Sequence, residues 1–288
     1  MKKTVRDLWR QGAETLKNFP LASLEARLLL QKALGHDEKA FFLEIDAPVS
    51  VACRRRYESL LKRRLERYPL ALLREEKEFW SLLLRVKKGV FIPRPETESL
   101  VELALEISWP RNGIAVDIGT GCGAIGLALA WERPAATIVA TDISSRAISL
   151  ARENAARLGI RNFILRKGSL FSPLINLGLE GQCDLIVSNP PYVAAGDWPA
   201  LPPEIKLVEP RQALVAGRSG LEFIFKLVRG AGRFLRPGGY LLLEIGFGQR
   251  ERVEAFLLKQ PGVEWFWRND LSGITRVLAV RFASGLKP

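Results

Sequence analysis

The chain predicts an α/β fold, a doubly wound parallel sheet preceded by a small helical segment. Two observations carry this. From residue 113 onward, short apolar runs alternate with helical stretches, most of them punctuated by glycine or proline. Strands that alternate with helices build a parallel sheet covered on both faces. Before about residue 85 the pattern is helical. At 288 residues and 48% hydrophobic content, the chain can bury a substantial core without disulfides or a structural metal.

The elements follow in order. An amphipathic segment covers about residues 3–17, and Pro20 separates it from a second helix marked by Leu24, Leu28, Leu29, Leu30 and Ala33, with Gly35 as its stop. A basic helix is expected over about 49–67. The stretch FWSLLLRVKKGVFIPRPETE reads as short extended segments leading into a proline-punctuated loop. The domain boundary therefore falls near residue 85, giving a helical domain at 1–85 and an α/β domain at 86–288. Strands are expected at 114–118 (IAVDI), 137–142 (TIVATD), 162–167 (NFILRK), 184–188 (DLIVS) and 240–245 (YLLLEI). Helices are expected after the first two strands, at 220–235 and at 249–259. The closely spaced β-rich pieces 263–267 and 275–282 suit an antiparallel pair at one end of the sheet.

Composition narrows the chemistry. His36 is the only histidine, so His-based triads and His-rich metal sites lack material. Cys53, Cys122 and Cys183 are far apart and form no C-x-x-C pair, which suits a reducing compartment. Charged residues at Arg6, Asp7 and Arg10 interrupt any apolar core of a signal peptide. No uninterrupted apolar run approaches the ~18 residues of a membrane span, and a cytoplasmic protein is expected. The net charge is +12, and half of that excess lies in the first 85 residues. Arg54-Arg55-Arg56, Lys62-Arg63-Arg64 and Arg67 supply most of it. Such a face can attract nucleic acid or an acidic protein, or simply be a solvated helix surface.

Two motifs carry chemistry. Asp117-Ile118-Gly119-Thr120-Gly121-Cys122-Gly123 follows a strand and opens a helix, a place where nucleotide-type ligands meet backbone N–H groups. Gly121, Gly123 and Gly126 also fit G-x-G-x-x-G. Asp142 ends the next strand, where an acidic side chain can hold ribose hydroxyls. NAD and S-adenosylmethionine both carry such a ribose, so these residues leave both open. Asn189-Pro190-Pro191-Tyr192 follows the fourth strand and points one way. An amide nitrogen is a poor nucleophile. The Asn189 side-chain oxygen and the Pro190 carbonyl can each accept one N–H of an NH2 group and hold its nitrogen for in-line attack on a sulfonium methyl. The same residues could also form only a rigid Asn-Pro turn.

An NPPY after the fourth strand resembles the S-adenosylmethionine-dependent amino-methyltransferases. Further segments narrow the likeness: Gly89-Val90-Phe91-Ile92-Pro93-Arg94-Pro95-Glu96-Thr97-Glu98, Glu209-Pro210-Arg211-Gln212-Ala213-Leu214, and Leu243-Glu244-Ile245-Gly246 with Gln249. Together they resemble the PrmC/HemK family, which methylates the glutamine of the Gly-Gly-Gln motif in class 1 peptide chain release factors. The resemblance covers nearly the whole chain. It implies a Rossmann-like class I S-adenosylmethionine-dependent methyltransferase sheet and a helical N-terminal domain that recognises the release factor, in a monomer that requires neither membrane nor nucleic acid. It also implies that Gly119, Thr120, Gly121, Cys122, Gly123, Asp142, Leu170 and Asn189 border the cofactor. Asn189, Pro190 and Tyr192 carry catalysis. Those three with Pro191, Phe91 and Arg94 hold the substrate glutamine.

Two positions depart from the family. Ser169-Leu170 stand where Asp-Trp is usual, replacing an aromatic contact on adenine with an aliphatic one and implying weaker cofactor binding. Arg74 stands where a glycine is usual, so the turn there is expected to be rebuilt. Competing classes are a ribosomal-protein glutamine methyltransferase, a nucleic-acid (adenine-N6 or guanine-N2) amino-methyltransferase, an NAD oxidoreductase and a non-catalytic binding module. The oxidoreductase leaves NPPY unexplained, and the intact Asn189 and glycine loop argue against the binding module.

Overall fold

The computed structural model describes residues 3–283. The chain divides into two compact units: residues up to Glu76 together with Pro202–Leu207, and Lys77–Leu201 with the residues from Val208 on.

The first unit contains α1 (Val5–Thr15), α2 (Ala22–Leu34), α3 (Glu38–Leu43), α4 (Val51–Leu65) and α5 (Leu70–Arg74). Local chemistry sets their ends. Thr4 and Asp7 form a reciprocal capping box at α1, Gly35 closes α2 in the left-handed region at φ 76°, and Ser50 accepts from the Cys53 N–H to start α4. The apolar faces meet around Tyr57, Leu8, Leu29, Leu30 and Phe41, all essentially without solvent exposure. The basic run on α4 is not one surface. Arg55, Arg56, Lys62 and Arg63 are exposed, but Arg64 is buried. Its guanidinium donates to both Glu25 oxygens at 2.6 and 3.1 Å, reaches Glu204 at 3.2 Å and lies over Phe19. Where a glycine was missed at Arg74, the helix in fact runs through that residue. Glu75, one position on, takes the left-handed cap at φ 63°, and its carboxylate accepts from Lys32 at 2.7 Å.

The second unit opens with a hairpin, β1 (Glu76–Phe79) and β2 (Leu82–Arg85). Its buried Phe79, Leu82 and Leu84 belong to the core of the α/β unit, which is why the units divide near residue 76 rather than at 85. After α6 (Glu98–Glu106), which the sequence reading did not anticipate, come β3 (Ile114–Ile118), α7 (Ala124–Glu132), β4 (Thr137–Asp142), α8 (Ser145–Leu158), β5 (Phe163–Lys167), α9 (Ser172–Asn176) and β6 (Cys183–Ser188). The chain continues through α10 (Pro203–Val208), nearly all of which belongs to the first unit, and then α11 (Glu222–Ala231), β7 (Leu235–Glu244), α12 (Arg250–Leu257), β8 (Val263–Asn269) and β9 (Thr275–Phe282) of the second.

The seven-stranded sheet has the order β5-β4-β3-β6-β7-β9-β8. Strands β5 to β7 are parallel, while β9 inserts antiparallel between β7 and β8. Every residue of β6 is buried, as a central strand covered on both faces requires, whereas edge strand β8 has no buried residue. The chain runs outward from β3 to β5 and returns to β6 beside β3. This reversal opens a crevice at the carboxyl ends of β3 and β6.

Gly12 offers a test of packing in the helical unit. A Cβ there would lie 1.8 Å from the Tyr57 hydroxyl and 2.8 Å from its Cζ. Gly12→Ala is expected to destabilise the fold by about 2 kcal/mol through overpacking, read as a lower melting temperature. The loss should shrink in a Tyr57→Phe background, which removes the nearest obstructing atom; an equal loss in both backgrounds would refute this account.

Candidate active site

The crevice is a cavity of about 230 Å³ lined by the ends of β3, β4 and β6 and the loops that follow them. Gly119 and Gly121 adopt φ of 77° and 58°, and a Cβ at either would meet no atom within 4 Å. The turn thus keeps open space beside its backbone at the cost of a conformation L side chains disfavour.

Most backbone N–H groups of this turn are committed to acceptors within the protein. The Gly119 and Thr120 N–H groups donate to the Thr141 carbonyl, the Gly121 N–H to Asp142 Oδ2 at 3.0 Å and the Gly123 N–H to the Thr120 carbonyl. Asp117, fully buried, accepts from the Thr120 hydroxyl at 2.6 Å and the Gly126 N–H at 2.9 Å. Burial raises its carboxyl to about 6. Gly126 lies inside α7 against Asp117 and Phe163, where a Cβ would clash, so its glycine is a packing requirement and not the third member of a dinucleotide fingerprint. Among the described residues no lysine or arginine lines the cavity, and Asp142 is its only carboxylate.

Asp142 accepts from the Gly121 and Ser144 N–H groups, and burial raises its carboxyl above the ordinary range. Around it the cavity is lined by Ile143, Leu170, Phe223 and Leu227, together with Thr141, whose buried hydroxyl has no partner among the described residues. Leu170 holds a left-handed φ of 48°. This is uncommon for a branched side chain and marks a constrained position.

Asn189 stands at the end of β6. Its Nδ2 donates to Glu244 Oε2 at 2.9 Å and to Thr97 Oγ1 at 3.1 Å. Both N–H donors are therefore spent on the protein, and Oδ1 takes no hydrogen bond from the described residues. Glu244 ends β7 and is buried; loss of solvation raises its carboxyl to about 7, opposed by bonds from Thr97 and Asn189 and by Arg276. Burial also raises the Tyr192 hydroxyl. The Ser188 hydroxyl, donating to the Ile118 carbonyl at 2.6 Å, ties the β6 end to the β3 end.

Gln249 fixes the loop that carries Tyr192. Its Oε1 accepts from the Gly246 N–H at 2.9 Å, and its Nε2 donates to the Tyr192 carbonyl at 2.8 Å and the Gly220 carbonyl at 3.2 Å. Gly220 is required there, because a Cβ would lie 2.6 Å from the Tyr192 carbonyl oxygen. Beyond Tyr192, Val193 and Ala195 exchange backbone bonds with 214–217. Arg94 is ion-paired with the buried Glu209 and lies over the Phe91 ring, joining the Pro-rich segment around residue 94 to the one around residue 210.

The cavity brings together Gly119, Gly121, Asp142, Leu170, Asn189, Pro190, Pro191, Tyr192 and Phe91. Thr120, Cys122, Gly123 and Arg94 do not line it. Thr120 braces Asp117, the Cys122 carbonyl accepts from Asn154 Nδ2 at 2.9 Å, Gly123 starts α7, and Arg94 is held by Glu209. Sequence reasoning assigned no role to Thr97, Glu244 or Gln249, although each sits in a quoted motif. Asn154 was missed altogether: its amide also pairs with both backbone groups of Arg85, linking the hairpin to the glycine turn. A lone Asn in a helical stretch gives no signal for that.

Comparison with known proteins agrees with this geometry. Residues 95–200 match the family model described as Methyltransferase small domain, and residues 7–74 match PrmC N-terminal domain. The hMettl16 catalytic domain, solved in complex with MAT2A 3'UTR hairpin 6, has the same fold: 16% identity over 72% of this chain and 77% of that one, with a TM-score of 0.53. The release factor glutamine methyltransferase of Geobacter sulfurreducens is 40% identical over 95% of this chain and 94% of its own length. That of Salmonella typhimurium is 38% identical over 94% and 96%. The α/β unit thus has the class I methyltransferase fold, and with such identity sustained along nearly the whole of both relatives the protein belongs to the release factor glutamine methyltransferase family.

Proposed function

We propose that the chain transfers a methyl group from S-adenosylmethionine to the side-chain amide nitrogen (N5) of the glutamine in the Gly-Gly-Gln motif of class 1 peptide chain release factors. The observation that supports this best is the Asn189 amide, with both N–H donors engaged and its oxygen left to receive an N–H. A substrate amide presents just such a donor. Asn189 Oδ1 and the Pro190 carbonyl each accept one substrate N–H, and Pro191, Tyr192 and Phe91 form the slot. The pull of the two acceptors enriches the nitrogen in electron density and fixes its direction, so positioning and electrostatics supply the rate. No base is required before attack, because the proton leaves after the C–N bond forms.

The residues present fit S-adenosylmethionine. Asp142 retains carboxylate lone pairs for ribose hydroxyls, Ile143 and Leu170 supply apolar walls, and the open side of Gly119 and Gly121 admits a ligand close to the backbone. When bound, the cofactor supplies an electrophilic methyl on a sulfonium. The helical unit is taken to recognise the release factor, and the enzyme to act as a cytoplasmic monomer without nucleic acid. No helix among the described residues is long and apolar enough to cross a membrane.

Three outcomes are expected. Labelled methyl from S-adenosylmethionine should enter a purified unmethylated release factor but not its Gly-Gly-Gln→Gly-Gly-Ala version, total RNA or DNA. Label in RNA or DNA alone would move the assignment to the nucleic-acid class. Asn189→Ala should lower kcat by about 10²–10³-fold, the scale of losing one preorganised electrostatic contact, with cofactor affinity by calorimetry nearly unchanged. Asp142→Ala should instead weaken S-adenosylmethionine binding by about tenfold or more, as loss of a charge-assisted hydrogen bond does. Unaltered affinity would remove the ribose role.

A further inference from the structure

The buried Glu244 raises a question the transfer reaction alone does not answer. Asn has a donor end and an acceptor end of nearly the same shape, and rotation by half a turn about its last side-chain bond exchanges them. Only one orientation serves catalysis: with Nδ2 toward the cavity, two N–H groups would face the N–H groups of the substrate amide. Something must therefore select the orientation. The neighbours of Asn189 on its buried side are Glu244 Oε2 at 2.9 Å and Thr97 Oγ1 at 3.1 Å, from two separate segments of chain. An ionised carboxylate accepts only, so it rejects Oδ1. The Thr97 hydroxyl alone could turn either way, but it stabilises the ionised Glu244 carboxylate, which favours Oγ1 as the acceptor toward Asn189. The carboxylate thus fixes one bond directly and favours the other.

We propose that Glu244, acting directly and through Thr97, is the positioning residue that selects which end of the Asn189 amide faces the acceptor nitrogen. This rests on Asn189 holding that nitrogen, as inferred above.

A consequence in pH follows from the same geometry. The charged and titratable groups around Glu244 are Arg276 on β9, Glu96 beside Thr97, and Tyr192 beyond Asn189. Burial holds the Glu244 carboxyl at about 7 despite Arg276, with Glu96 adding to the rise. The ionised form is the accepting form, so it dominates above about 7. Below that pH the carboxyl carries a proton and can donate it to Asn189 Oδ1, which stabilises the unproductive orientation. Turnover should therefore rise with pH through about 7.

The test uses the full-length enzyme with S-adenosylmethionine and an unmethylated release factor, measuring kcat and KM from pH 6 to 8.5 and cofactor affinity by calorimetry. Glu244→Gln keeps the shape but neither titrates nor only accepts. It should lower kcat about tenfold at pH 8, leave cofactor affinity within twofold and abolish the acid limb. A purely packing role would not move that limb. Wild-type kcat with the limb intact would overturn the proposal. If Glu244→Gln does not fold, Thr97→Val decides. It removes one of the two acceptors, so kcat should fall several-fold with the acid limb retained; an unchanged kcat would overturn the proposal. Asn189→Ala separates the two readings. Full turnover in that variant overturns the Asn189 role, whereas its loss beside an unaffected Glu244→Gln overturns only the orientation role.

Discussion

The proposed transfer depends on holding one neutral amide in one orientation. On that reading Asn189 offers an acceptor to a substrate that is itself an amide, and the energy difference between right and wrong ends is a matter of two hydrogen bonds. Burying Glu244 beside it enlarges that difference, because an amide oxygen turned toward a buried carboxylate meets repulsion where the amide N–H makes a hydrogen bond. The desolvation that raises the Glu244 carboxyl to about 7 is the other side of the same arrangement. A carboxylate buried this deeply must be compensated, and Thr97, Asn189 and Arg276 together do so.

That constraint accounts for the distance in sequence between the parts. Thr97 precedes the sheet, Asn189 ends β6 and Glu244 ends β7. Parallel pairing of β6 with β7 brings the last two to the same edge. The crossover that returns β6 beside β3 brings the glycine turn to that edge as well. Smaller ties hold the edge in register: Ser188 to Ile118, Gln249 to Tyr192 and Gly220, and Asn154 to Cys122 and Arg85. Each is a side-chain amide or hydroxyl satisfying backbone groups in loops or at strand ends.

What the sequence made legible follows the reach of each signal. Strands β3, β4 and β9 coincide with their expected ranges, because apolar runs bounded by turn residues are local. The α7 and α8 helices were legible for the same reason. α6 was not foreseen, since it follows directly from a proline-rich loop and shows no capping side chain. At the site, the placement of NPPY and Asp142 on the cavity could be expected from sequence because each directly follows or ends a strand. The Glu244–Thr97 pair could not, because a Glu in a strand and a Thr after a Pro-rich turn acquire meaning only when the sheet brings them to Asn189. The charge count misled for a similar reason: Arg64 belongs to the basic run in sequence, yet in space it is the buried partner of Glu25.

The glycine turn shows how the fold separates two ligands that the sequence leaves equivalent. A dinucleotide needs uncommitted N–H groups or a cation where its pyrophosphate lies. Here the N–H groups of Gly119, Thr120, Gly121 and Gly123 are bonded to protein acceptors, and the nearest ionisable side chain in the cavity is the carboxylate of Asp142. A pyrophosphate would face an anion with nothing to neutralise it. A cofactor whose sulfonium and ammonium outweigh its single carboxylate meets a favourable field instead. In a chain of net charge +12, acidic character has been kept for the cavity: Asp142 lines it, Asp117 and Glu244 lie buried behind it, and no basic side chain among the described residues reaches its wall. The sign of that local field, and not the glycine spacing, is what the turn has in common with sulfonium-dependent methyl transfer.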